Sequence, residues 1–196
     1  MVDAVQDTAK DADDLVALRG RAVLLVGFAG AFRRSELANL MRKDIDIDDE
    51  GMVIHLRHSK TDQTGFGDEK AIERAATGHC PVAALEQWLA RCDRRAAARS
   101  AAIFRAVDQW GNVCDSALSD LSVAMIIQRA AGLAGLPPGE FPGHSLRAGF
   151  VTDQLANGAG EIKVIYMTGH KSVNTLRKYY RPERGRKAKP PPTHHK

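Results

Sequence analysis

"TGHKSVNTLRKYY" fills Thr168–Tyr180 and holds two of the chain's three tyrosines side by side, the third being Tyr166. Lysine and arginine crowd around them. At helical spacing Val173, Leu176 and Tyr180 fall at i, i+3 and i+7, which makes one apolar stripe. Tyr179 is turned from that stripe by about 100° and shares its face with Ser172 and Thr175. The spacing predicts a helix that starts near Ser172 or Asn174 and runs through both tyrosines. Tyr180 should pack inward and Tyr179 should face the polar side.

Working back toward the N-terminus, Glu161–Thr168 reads as a short helix, and Thr168-Gly169-His170 closes it. Taken alone, His170 reads as a cap or a satisfied, half-buried histidine. Ser145–Ala156 is a further helix that stops at Asn157-Gly158. His144-Ser145-Leu146-Arg147 opens it after Pro142-Gly143. His144 and Arg147 share a face, yet the helix dipole prefers an anion at that end. One resolution is a bound anion, since free N–H groups, the dipole and a guanidinium together hold phosphate. The other is a surface histidine beside an arginine paired with an acid elsewhere. Arg33-Arg34 poses the same conflict ahead of a helix capped by Ser35, with Glu36 in its first turn and Leu37, Leu40 and Met41 inside. Its plain alternative is a solvated turn.

Met52–Arg57 alternates Met52, Ile54 and Leu56 against Val53, His55 and Arg57, the signature of a half-buried strand. Thr61–Asp68 is a glycine-containing loop, and Lys70–Arg74 can return as the second arm of a hairpin. Lys60 lies near the end of the first arm, where most lysines merely face solvent. The remaining segments read as helices over Asp14–Gly30, from Pro81 through Leu89, and over Ser119–Ala134, the last with Leu121, Ala124, Met125 and Gln128 on successive turns. Ile103-Phe104 is a short buried segment. The fold class is therefore α+β, mainly α-helical with a small antiparallel β-sheet or hairpin. Residues 1–13 read as an acidic disordered leader, 14–181 as one domain, and 182–196 as a basic, proline-rich tail.

Composition narrows the function. No apolar run is long enough to cross a bilayer, and the acidic opening lacks the apolar core of a signal peptide, so a cytoplasmic protein is expected. Cys80, Cys92 and Cys114 are an odd number without metal-ligand spacing, which argues against zinc despite His79-Cys80. Residues 1–50 carry seven Lys/Arg against eleven Asp/Glu, whereas residues 171–196 carry nine against one. A basic end on a chain of pI about 9.1 suggests a polyanion partner, most simply nucleic acid. The plain alternative is a solvated tail.

The order of these features resembles the catalytic domain of the tyrosine recombinase (phage integrase) family. The arginine of "AFRRSEL", the lysine of "SKTDQTG", then "HSLR", "TGH" and a tyrosine nine residues beyond that histidine appear in sequence between about Leu15 and Arg181. The resemblance implies the tyrosine-recombinase catalytic-domain fold. It also implies a catalytic set of Arg33, Lys60, His144, Arg147 and His170, with Tyr179 rather than Tyr180 as nucleophile. Glu36 would brace the site. Arg34, Lys171, Arg177, Lys178 and Arg181 are candidate DNA contacts.

In the family the phenol attacks a DNA phosphodiester and leaves a covalent phosphotyrosine and a free 5′-hydroxyl. Arg33 and Arg147 would clamp the non-bridging oxygens, and His170 would donate to one of them. Lys60 would protonate the leaving oxygen, and His144 would take or orient the tyrosine proton. The guanidinium and ammonium groups supply the positive charge, so no metal and no other cofactor is implied. The partner implied is double-stranded DNA, with a homo-oligomer (a tetramer) assembled on it, and a weak oligomer or monomer without it.

Two features depart from the family pattern. Most members carry about a hundred residues of helical DNA-binding domain before the first motif, whereas Arg33 arrives early here. The chain is then either a fragment or a natural half-protein. The family also often continues past the tyrosine with an apolar helix that docks on the next subunit, and Arg181–Lys196 lacks such residues. Two other readings therefore stand beside a recombinase or integrase catalytic domain. One is a non-catalytic DNA-binding or regulatory remnant. The other is a type IB topoisomerase-like monomer.

Overall fold

The structure is a computed structural model and describes residues 1–9, 14–56, 68–92, 101–141, 145–170, 172–177 and 179–180. Helix α2, Leu15–Ala29, is the axis of the packing. Asp14 caps it, its Oδ1 accepting from the N–H groups of Val16 and Ala17 at 3.0 and 3.1 Å. Ala22, Val23 and Val26 are completely buried, as expected of a helix apolar nearly all round. Packed on α2 are α1 (Val2–Gln6), α4 (Pro81–Arg91), α5 (Asp120–Leu133) and α6 (Ser145–Ala156). At Gly27 a Cβ would stand 2.5 Å from Leu146 Cδ1 and 2.8 Å from Leu37 Cδ1. The missing side chain lets α2 approach α6 and α3 (Arg34–Ala38) closely.

The opening residues differ from the disordered leader expected. Val2–Gln6 is helical, Val5 is buried, and Asp3 Oδ1 meets His79 Nε2 at 2.7 Å. Val2 and Val5 give this acidic segment an apolar edge that packs on the core. Lys10–Asp13 lie outside the described residues. His79 is thus a surface ion-pair partner, and the Cys80 thiol caps α4 by accepting from Ala83 N at 3.4 Å.

The expected hairpin is part of a three-stranded antiparallel sheet of order β1-β2-β3, comprising Ile45–Ile47, Gly51–Leu56 and Asp68–Glu73. The extra strand, β1, is only three residues long, too short for its alternation to stand out. Asp48 turns the chain between β1 and β2, its Oδ1 accepting from Glu50 N at 2.9 Å and Gly51 N at 2.8 Å. Met52, Ile54 and Leu56 are buried as the alternation required. On β3 the buried pair is Lys70 and Ile72, between exposed Glu69, Ala71 and Glu73. A second ribbon, β4 (Arg105–Val107) with β5 (Val113–Ala117), was not foreseen. Ile103 and Phe104 just before it are buried, and Ile103 O accepts from the Trp88 indole at 2.8 Å.

In α5 the buried face is Val123, Ala124, Ile127, Ala130 and Ala131, while Leu121 and Met125 are exposed. Helices α6 and α7 (Glu161–Thr168) have the bounds read from the sequence. Helix α8 does not. It spans Val173–Arg177 and stops before the tyrosines. Tyr179 N–H bonds Leu176 O at 2.9 Å and Tyr180 N–H bonds Arg177 O at 3.3 Å. Bonds to the third residue back wind the chain at three residues per turn. That brings Tyr179 under Leu176 and Tyr180 under exposed Arg177. The expected orientation is therefore reversed: Tyr179 packs beside Val151, Val164 and Leu176, and Tyr180 is 38% exposed. No helix among the described residues is long and apolar enough to cross a membrane.

Candidate active site

The end of α7 organises the site. Gly169 has φ 65° and ψ 36°, the left-handed region that a side chain disfavours. This conformation lets His170 N–H reach Ile165 O at 3.2 Å and Gly169 N–H reach Tyr166 O at 3.4 Å. The next two carbonyls are taken by cations. Met167 O accepts from Lys70 Nζ at 2.8 Å, and Thr168 O accepts from Arg147 Nη2. Positive charge belongs at this negative end of the helix dipole.

Helix α2 ends in the same kind of turn, but with alanine in the left-handed position. Ala31 has φ 49°, Phe32 N–H bonds Gly27 O at 3.0 Å, and Ala31 N–H bonds Phe28 O at 3.0 Å. Ala31 O then accepts from Arg147 Nη1 at 3.0 Å. Arg147, in the first turn of α6 and 1% exposed, thus joins the ends of α2 and α7. Arg147 is therefore buried between two helix ends rather than exposed.

The turn after Ala31 delivers Arg33. Its backbone N–H donates to Glu36 Oε2 at 2.8 Å, and its guanidinium pairs with Glu36 Oε1. The cap of α3 is therefore Arg33, not Ser35, because the Glu36 carboxylate serves the N–H that a Ser35 cap would have left behind. Glu36 thus holds Arg33 through both carboxylate oxygens.

His170 is 7% exposed. Thr168 Oγ1 donates its one proton to Val164 O at 2.6 Å, so it accepts from His170 Nδ1 at 2.5 Å. The neutral ring then carries its lone pair on Nε2. That atom is buried and has no hydrogen-bond partner among the described residues. Burial, then the charges of Arg147, Arg33 and Lys70, push the imidazole down to about 4. The Tyr179 ring lies against it, with centroids 4.7 Å apart and planes tilted by 56°. The arrangement is a group of cations around a buried imidazole beside a phenol, suited to an anion.

Arg33, Glu36, Arg147, His170 and Tyr179 are thus brought to one region. Lys60, His144, Lys171, Lys178 and Arg181 lie outside the described residues. Arg34 is bound to Asp120 Oδ2 at 3.2 Å, and Arg177 grips both Glu161 oxygens at 3.0 and 3.3 Å, so neither surface cation is unneutralised. Lys70 was missed. Its signal was present, because a period of two puts it on the face of Ile72. No group of three His, Cys, Asp or Glu that could hold a metal occurs among the described residues.

The model of the phage integrase family matches residues 2–186. The chain belongs to that family. It is 38% identical over 170 residues to an integrase/recombinase xerD homolog of Selenomonas ruminantium, covering 86% of this chain and 49% of that protein. With the tyrosine recombinase XerD of Mycobacterium tuberculosis it shares 32% identity over 173 residues, 87% of this chain and 50% of that one. This phage integrase family chain spans about half the length of the curated relatives it matches. Its fold is also that of XerH site-specific recombinase bound to difH substrate, with TM-score 0.65, 21% identity, and coverage of 91% of this chain and 46% of that chain. XerA recombinase gives TM-score 0.65 at 20% identity over 93% of this chain and 55% of its own.

Proposed function

We propose that this chain is the catalytic domain of a site-specific DNA recombinase or integrase that cuts and rejoins duplex DNA through a 3′-phosphotyrosyl link. One observation carries the reading: His170, whose Nε2 is buried and has no hydrogen-bond partner among the described residues, is under the charges of Arg147 and Arg33, and its ring lies beside that of Tyr179. In the proposed reaction Tyr179 Oη attacks the scissile phosphorus and loses its proton. The Tyr–O–P bond forms as the P–O5′ bond breaks, and the 5′ oxygen takes up a proton. Attack by a partner strand's 5′-hydroxyl reverses these steps, and the bond energy is kept throughout.

Within this reading Arg33 and Arg147 neutralise the non-bridging oxygens, and His170 donates to one of them once protonated. Lys60 protonates the leaving oxygen and His144 handles the tyrosine proton. No cofactor takes part. Lys171, Lys178 and Arg181 supply phosphate contacts. The enzyme works in the cytoplasm as a tetramer on DNA and is monomeric or weakly associated without it.

A nicked duplex that loses its 5′-hydroxyl strand after cleavage traps the covalent complex. Wild type and Tyr180→Phe should accumulate it, while Tyr179→Phe should lower the yield by about 10³-fold or more. Trapping that survives Tyr179→Phe would overturn the nucleophile assignment. Absence of trapping by wild type on any duplex would favour a non-catalytic, DNA-binding remnant.

A further inference from the structure

Lys70 is a buried cation that the reaction above does not use. It lies on β3 at 6% exposure, opposite fully buried Ile54 of β2. The pleat sends its side chain toward the core, where an ammonium is strongly disfavoured unless polar groups replace its water. Two different turns supply the replacement. Nζ donates to Met167 O at 2.8 Å, in the last turn of α7. It also lies 5.6 Å from the centroid of the Phe32 ring, whose face attracts a cation. Phe32 directly precedes Arg33, and Met167 directly precedes Thr168, whose carbonyl holds Arg147 and whose hydroxyl holds His170.

We propose that Lys70 is a positioning residue for strand cleavage, tying the end of α7 to the Phe32–Arg33 turn so that His170 and Arg33 face one phosphate. The inference rests on the catalytic reading just given. Arg147 performs a parallel task from α6, joining Thr168 O to Ala31 O. The sheet and the helical layer therefore each place one cation across the same two helix ends. Among the described residues, the charged and titratable groups that face His170 are Arg147 from α6, Arg33 from the α2–α3 turn, Lys70 from β3, and Tyr179 beyond α8. Removing the charge of Lys70 acts on the imidazole directly as well as through the turn.

The test compares the 196-residue chain with Lys70→Met, Lys70→Gln and Lys70→Arg. Single-turnover trapping on the nicked duplex is measured together with a proton NMR titration of His170 in the absence of DNA. Lys70→Met should trap about tenfold more slowly or worse, at unchanged DNA affinity. Its His170 titration should move upward by about 0.5 pH or more, since one facing cation is gone. Lys70→Arg, which keeps charge and donor, should recover trapping to within about threefold of wild type. If Lys70→Met does not fold, Lys70→Gln keeps an N–H donor for Met167 O without the charge and should show the same two changes. Wild-type trapping by an uncharged variant, or an unmoved His170 titration, overturns the proposal. Absence of trapping by wild type would overturn the catalytic reading instead. The DNA-free titration would then decide by itself whether Lys70 acts on the His170 turn.

Discussion

A phosphodiester bound among these cations should make His170 take up a proton. In the free protein burial and three facing cations hold its imidazole at about 4. At pH 7 only about one ring in a thousand is then charged. A phosphate anion about 4 Å from Nε2 favours the charged ring by roughly 4 kcal/mol at an effective dielectric near 20, a rise of about 3 in pKa. The bound value lands near 7, so about half a proton per site is taken up at neutral pH. Only the protonated ring has an Nε2–H to donate, so a hydrogen bond from it to a bound phosphate would require this uptake. Calorimetric titration of duplex DNA in buffers of different ionisation enthalpy reads this uptake directly. It should fall to near zero in His170→Gln. The sign for folding follows from the same depression: the unfolded imidazole binds its proton first, so stability present above pH about 6.5 is lost as pH falls toward about 4. A free-protein His170 titrating near 6.5, or DNA binding without proton uptake in wild type, would refute the reasoning.

Two perturbations of the scaffold join those of Tyr179 and Lys70. Ala31→Gly should stay within about 1 kcal/mol of wild type by denaturant unfolding, because relief of the left-handed backbone offsets a lost buried methyl. Ala31→Val should cost more than about 2 kcal/mol; equal costs for the two would sink this account of the α2 end. On the open face of the sheet His55 bonds Asp46 at 3.0 Å and Glu69 at 3.1 Å, and these carboxylates, Asp46 foremost, raise its pKa. Its contribution to stability should be full below the ordinary histidine value and fade as pH rises through the raised one. Thermal melts from pH 5 to 9 should lose that component in His55→Gln; identical profiles would contradict it.

Local chemistry made much of the fold legible. Helices α6 and α7 begin and end where the glycines and periodicity put them, and β2 buries the residues its alternation selected. What escaped depended on contacts across the chain. Strand β1 is too short to show a period, and β4 and β5 are recognisable only from their pairing. The Tyr179–Tyr180 orientation failed because α8 tightens at its last turn, which moved Tyr179 onto the apolar stripe. Lys70 escaped because a lysine on a hairpin is ordinarily solvated, while its acceptor, Met167 O, lies 97 residues away. The same remoteness hid the burial of Arg147, whose Ala31 acceptor is 116 residues distant. The residue types of the proposed site were readable as motifs. Their shared region was not, since it is made by two helix ends that meet only in the folded chain.

The most direct test is to isolate the covalent complex from the nicked duplex, digest its DNA with nuclease, and map the adduct by mass spectrometry. The account predicts a phosphonucleotide on Tyr179 alone. An adduct on Tyr180, on Tyr166 or on a serine would contradict it.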